Sequence, residues 1–103
     1  MPHIQPPHIN SKMTTAESEI IERVRAFVAE NFLYMRPDFE LSVDDHLLER
    51  GVVDSLGVVE VLAFIENEFG VCAAEEEISE ANLGTLRAIA RFVMNKQGAL
   101  ARV

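Results

Sequence analysis

Apolar residues recur at helical spacing in three stretches of the chain. Ile20, Ile21, Val24, Phe27, Val28 and Phe32 stand three and four positions apart, which predicts an amphipathic helix over about 15–33. Thr14-Thr15-Ala16-Glu17 ahead of them has the Ser/Thr-x-x-Glu form of a capping box. Arg36-Pro37-Asp38 ends the segment, because proline disfavours helix in the residue before it. A second period, Leu56, Val59, Leu62, Ile65 and Phe69, is widened by Val58, Val61 and Phe64. It predicts a helix over 55–69, with Asp54 or Ser55 as N-cap and Gly70 at the C′ position. The third period, Leu86, Ile89, Ala90, Phe92 and Val93, predicts a last helix from an N-cap at Thr85 to about Lys96. Arg87, Arg91 and Lys96 then face outward, and Gly98 stops the helix.

Between the first two helices lies a connection of about twenty residues, long for a structureless loop in a small domain. Phe39, Leu41 and Val43 alternate with polar residues, and Leu47 and Leu48 follow. These five are expected to pin the loop to the core, with a short helical turn near 45–50 closed by Gly51. A strand at 39–43 would have no partner, so none is expected. Residues 71–84, with Glu75-Glu76-Glu77-Ile78, hold one short helical turn. The expected fold is all-α: a small bundle of three main helices plus one short helix, with a long first loop. Residues 1–14 hold three of the four prolines and two of the three histidines and lack a helical period, so they read as a flexible tail. Residues 15–97 form the domain, and 98–103 a frayed end.

Composition narrows the function classes. No apolar run is long enough to span a membrane, and the amino-terminal residues lack a signal-peptide h-region, which points to the cytoplasm. Cys72 is alone, which excludes an internal disulfide, and after Phe69-Gly70-Val71 it reads as a core or near-core residue. The net charge of −8 argues against nucleic acid and anionic membranes and favours partners with basic patches. The acids are also clustered. From Gly51 to Asn82 there are eight (Asp54, Glu60, Glu66, Glu68, Glu75, Glu76, Glu77 and Glu80) and no Lys or Arg.

Ser55 is the residue whose chemistry needs weighing. Nucleophilic hydrolysis requires a base in reach and an acid to orient it. The lone histidine after the tail is His46, and GVVDSLG is not a G-x-S-x-G elbow. One cysteine and scattered histidines make no zinc site, His3 and His8 lack ligand partners, and there is no Gly-rich phosphate loop. What remains is a serine at the start of an acidic helix. A phosphoryl group there would meet unpaired N–H groups and the positive end of the helix dipole. For an arbitrary Asp-Ser pair, a plain helix cap is the simpler reading.

The segment GVVDSLGVVEVLAFIENEFGV resembles the acyl and peptidyl carrier proteins, whose attachment motif is Asp-Ser-Leu at the start of the second helix. The likeness takes in Gly51 before the motif, Glu60, the Glu-x-Glu-Phe-Gly ending at Gly70, and NLGTLRAIARFV, so that about residues 16–96 match. The resemblance implies that Ser55 receives 4′-phosphopantetheine from coenzyme A through a phosphopantetheinyl transferase using Mg²⁺. The serine oxygen attacks the phosphate attached to pantetheine, and 3′,5′-ADP leaves. The arm's thiol then carries an acyl or aminoacyl group as a thioester. The chain would thus be a substrate and shuttle rather than an enzyme, a monomer with no catalytic residue and no metal of its own. Asp54 is implied in transferase recognition beside Leu56. Leu56, Val59, Glu60, Ala63 and Glu66 are implied on the docking face for an acyl or aminoacyl ligase, synthase or transferase with a basic patch. Val59 has a second reading as a core residue.

The segment departs from fatty-acid carriers at Gly57, where many have a further acid, at Asn67 within the glutamate run, and at Ala73-Ala74, where proline is common. These departures point to a free-standing carrier in polyketide, nonribosomal-peptide or modified-lipid synthesis. The rival is a non-catalytic helical adaptor that binds basic partners and in which Ser55 only caps.

Overall fold

A computed structural model describes residues 15–101, with side chains as far as Gly98. The chain forms α1 (Thr15–Phe32), α2 (Ser55–Phe69), a 3₁₀ turn (Glu75–Glu77), α3 (Glu80–Leu83) and α4 (Leu86–Ala101). No strand occurs among the described residues. The expected all-helical bundle is present, with two short pieces between α2 and α4 where one was expected. Ser79 starts α3 by accepting from the Asn82 backbone N–H (3.3 Å).

The core is built from the inward stripes of the long helices. Val24 and Val28 of α1, Ile65 of α2, and Leu86, Ile89 and Val93 of α4 are wholly buried. Helix α1 packs against both α4 and α2, while α3 packs against α4. Phe27 of α1 stacks on Phe64 of α2 with ring centroids 4.3 Å apart. The capping-box residue Glu17 is buried, with Arg91 Nε of α4 at 3.4 Å. Its counterpart Thr14 and the tail reading of 1–14 lie outside the described residues, as do 102–103.

The long loop is fastened rather than loose. Leu41, Leu47, Val52 and Val53 are buried, with Phe39 and Val43 packed partly against them. Arg25 of α1 donates to the Leu41 carbonyl. The Leu47 N–H donates to Gly84 O (2.9 Å) and the Arg87 N–H to Val43 O (3.0 Å). Arg87 also grips the Asp44 carboxylate at 2.8 and 3.2 Å. Arg36 and Arg50 lie over the Phe39 ring, at 4.6 and 4.9 Å from its centroid. Gly51 closes the loop's helical turn at φ +71°, a left-handed conformation that side chains disfavour.

Four sequence expectations are corrected. Leu48 is 45% exposed, because the turn that buries Leu47 directs its neighbour outward. Cys72 is exposed: Gly70 turns the chain at φ +68° and the extended backbone that follows buries Val71 instead. Helix α4 runs through Gly98 to Ala101, since a glycine with no left-handed φ costs helix but does not stop it. The second reading of Val59, as a core residue, fails at 58% exposure, and Leu56 beside it is 70% exposed. Among the described residues no helix is long and apolar enough to cross a membrane.

Candidate functional site

The two candidate caps of α2 separate cleanly. Asp54 is extended, and its Oδ1 accepts the Gly57 N–H at 2.7 Å, while its carbonyl accepts the Val58 N–H at 3.0 Å. Asp54 is therefore the N-cap, and Ser55 is the first residue of the helix. Ser55 is exposed, and its hydroxyl makes no hydrogen bond among the described residues. The cap premise of the adaptor reading fails on this geometry. The hydroxyl that a capping serine would commit to the backbone stays open to another molecule.

Packing beneath the serine holds it in place. Val52 and Val53 are buried just before the cap. Gly57 is buried where the end of α1 meets α2: a Cβ there would lie 3.0 Å from both Phe32 Cε1 and Val53 Cβ. The missing acid at this position has a local cause, because a longer side chain would lift the helix start off Phe32.

Ser55 stands between two depressions. On one side is an apolar groove of about 260 Å³, walled by Leu47, Leu48 and Val58 and by Ile78, Glu80 and Leu83. On the other is an open hollow of about 680 Å³ that includes Phe32, Leu48, Asp54 and Leu56. The first turn of α2 also presents backbone N–H groups without helical partners, beside the positive end of the dipole. This edge suits a phosphodiester with a polar, flexible chain beyond it. No base is hydrogen-bonded to the hydroxyl among the described residues.

Residues three and four apart on a helix share a face, and Leu56, Val59, Glu60 and Ala63 do so here, all exposed. Glu66 is different. Half-buried, its Oε2 accepts the Ala73 N–H at 2.9 Å and braces the chain leaving α2. Of the clustered acids, Glu68 pairs with Arg23 (2.6 Å), Glu77 with Lys96 (2.8 Å) and Glu80 with His46 (2.6 Å). Glu60, Glu75 and Glu76 have no such partner among the described residues, so the open negative charge concentrates on α2 and the 3₁₀ turn. The Lys96 ammonium lowers the Glu77 carboxyl below its ordinary value, and Arg87 does the same for Asp44. The Glu80 carboxylate raises the His46 imidazole above its ordinary value.

Sequence reasoning missed the groove and the residues that close it. Leu48 and Ile78 form its exposed lips, and an apolar residue directly after three glutamates was the available signal. The His46–Glu80 pair joins residues 34 positions apart, beyond the reach of any local pattern.

Comparison with known proteins agrees with this geometry. The family described as "Phosphopantetheine attachment site" matches residues 22–93. A protein named "D-alanyl carrier protein" from Abiotrophia defectiva is 34% identical over 58 residues, covering 56% of this chain and 73% of its own. A chain in the solved structure described as "Crystal structure of FAD-dependent dehydrogenase" superposes with a TM-score of 0.60 at 30% identity. The match covers 68% of this chain and 97% of that one, so that chain is the shorter of the two.

Proposed function

Because the chain belongs to the phosphopantetheine-attachment family of acyl and peptidyl carrier proteins, we propose that Ser55 is its point of attachment and that partner enzymes read the outer face of α2. The protein is a carrier, and its cofactor is covalently attached 4′-phosphopantetheine. The observation that carries the assignment to Ser55 is the division of labour at the helix start: Asp54 takes the cap and leaves the Ser55 hydroxyl exposed and uncommitted.

When bound, the arm supplies a terminal thiol that holds cargo as a thioester. The residues of this chain do the rest. The Ser55 oxygen is the group modified by a phosphopantetheinyl transferase, which must supply the base and metal. Asp54 fixes the helix start that the transferase meets. Leu56, Val59 and Ala63 give a partner an apolar strip, and Glu60 draws its Arg and Lys side chains. Glu66 serves mainly to brace the loop and stands at the margin of this face. The name of the D-alanyl relative favours an aminoacyl cargo. The solved structure's description adds a flavin dehydrogenase to the proposed partners.

Incubation with coenzyme A, Mg²⁺ and a broad-specificity transferase should add one phosphopantetheine to the intact mass. The addition should be absent in Ser55→Ala. Modification that persists in this variant, or none of the wild-type chain with several competent transferases, sinks the assignment.

A further inference from the structure

The groove beside Ser55 has two walls that are far apart in sequence: the long loop at Leu47–Leu48 and the segment from Ile78 to Gly84. Two contacts tie them together. One is a backbone bond, from the Leu47 N–H to Gly84 O at 2.9 Å, just past the end of α3. The other lies close beside it: His46 Nδ1 is 2.6 Å from Glu80 Oε2, on a carboxylate that reaches along α3 to Gly84. The first cannot titrate near neutral pH, whereas the second can. Gly84 also makes room for the pair: a Cβ there would collide with the Glu80 carboxylate.

We propose that His46 and Glu80 form a proton-operated latch on the groove beside Ser55, adding to the Leu47–Gly84 bond a tie between loop and α3 that depends on pH. With the imidazole protonated, Nδ1–H donates to the carboxylate in a charge-assisted bond that holds α3 and the Ile78 lip against the loop. When the imidazole becomes neutral, the charge assistance is lost, and the segment keeps the Leu47–Gly84 bond, the Glu77–Lys96 pair and the packing of buried Leu83. The groove's assignment as the place where the arm and its cargo rest follows from the carrier reading. The latch does not.

The charges around His46 all act in one sense. Glu80 faces it from α3, and Glu49 and Asp44 from the loop. Asp44 is held by Arg87 of α4 and Asp45 by Arg50 (3.0 Å), so no cation pairs with His46 or Glu80 among the described residues. The hydrogen bond to Glu80 is the largest cause of the raised His46 pKa, followed among favourable causes by the charges of Glu80, Glu49 and Asp44. A raised histidine pKa means that the pair's stabilisation is complete below the ordinary value of 6.5 and is lost as pH rises through the higher folded value. The latch closes in mildly acidic conditions and opens in alkaline ones.

The test is an NMR titration of the full-length apo chain, following the His46 ring and the methyl groups of Leu48, Val58, Ile78 and Leu83. His46 should titrate above 6.5 in the wild type, and in Glu80→Gln its midpoint should fall back towards that value. The groove methyls should shift with the His46 midpoint, and the shift should disappear in both Glu80→Gln and His46→Gln. A His46 midpoint indifferent to Glu80→Gln, or groove methyls that ignore it, overturns the latch. Transferase loading of the same variants separates the two proposals. Failure of wild-type loading removes the carrier assignment but not the latch, and failure of co-titration removes the latch but not the carrier.

Discussion

Helices α2 and α4 are 15 and 16 residues long, and each carries a broad set of apolar residues, but they place them differently. In α4, Leu86, Ile89, Ala90, Phe92 and Val93 are all buried. In α2, Val61 and Ile65 are buried, while Leu56 and Val59 stand in solvent one turn apart, beside Ser55. Helix α4 therefore has the apolar surface its core contacts use, and α2 has more. A single exposed Val or Leu means little in a soluble protein. Two on one face, next to an uncommitted hydroxyl and an unpaired Glu60, are the exposed apolar surface on which the docking proposal rests.

The comparison is most easily broken by truncation. Ile89→Ala in α4 should cost about 2–5 kcal/mol by chemical denaturation, as large-to-small changes in sealed cores do. Val59→Ala in α2 should stay within about 0.5 kcal/mol, as for surface positions generally, yet slow transfer by partner enzymes. If Val59→Ala destabilises as much as Ile89→Ala, α2 has no spare apolar face and the docking proposal loses its footing.

Glycine sharpens the contrast because the two helices should respond with opposite sign. Gly57→Ala in α2 puts a methyl 3.0 Å from Phe32 and Val53, an overpacking expected to cost about 1–3 kcal/mol. Gly98 in α4 meets nothing within 4 Å, so Gly98→Ala should stabilise by up to about 1 kcal/mol through helix propensity. Thermal melts of the two variants give the answer directly. Stabilisation by Gly57→Ala would show that the helix start is not pressed onto α1.

Most of this frame was legible in the sequence. The helical periods located all three long helices, and α2 was bounded at Ser55 and Gly70 because an acid cap and a glycine stop are local signals. Periodicity failed where it had to choose a face: in α2, apolar residues occur around so much of the helix that Leu56 and Val59 fit the inward stripe as well as Val61 does. Only the packing of α1 decides between them. Cys72 failed for a related reason, because one residue of phase after Gly70 exchanges it with Val71. At the site, the resemblance singled out Ser55 and the open side of α2, but no spacing could separate Asp54 from Ser55 as the cap. The groove was invisible because its walls come from segments joined only by the fold.

The caps give a smaller and finer comparison. Asp54 caps α2, and Thr85 caps α4, its Oγ1 accepting the Ala88 N–H at 3.0 Å. Asp54→Ala and Thr85→Ala should each cost about 0.5–2 kcal/mol. Ser55→Ala should cost no more than about 0.5 kcal/mol, since the serine caps nothing. Urea titration of the three variants distinguishes the serine kept for chemistry from the residues that start the helices. A loss in Ser55→Ala equal to that in Asp54→Ala would restore the cap reading.

The smallest expected effect concerns how α4 is attached. Two of its cations hold acidic partners from other segments, Arg87 on Asp44 of the loop and Lys96 on Glu77 of the 3₁₀ turn. Each lowers its partner's carboxyl pKa, chiefly through the hydrogen bond it donates. For a depressed carboxyl, the stabilisation is complete above the unfolded value, near 3.8 for Asp44 and 4.5 for Glu77, and is lost as pH falls through the folded value. Both pairs are partly exposed, so screening by solvent reduces the contribution. Melting temperatures of wild type and Asp44→Asn, followed from neutral to about pH 2.5, should differ at neutral pH and converge in acid. A difference that stays constant across that range would mean that the Asp44 side chain matters for its packing and not for its charge. The Arg87–Asp44 pair would then add no charge-dependent hold on α4, and the contrast with α2 would rest more heavily on apolar contacts.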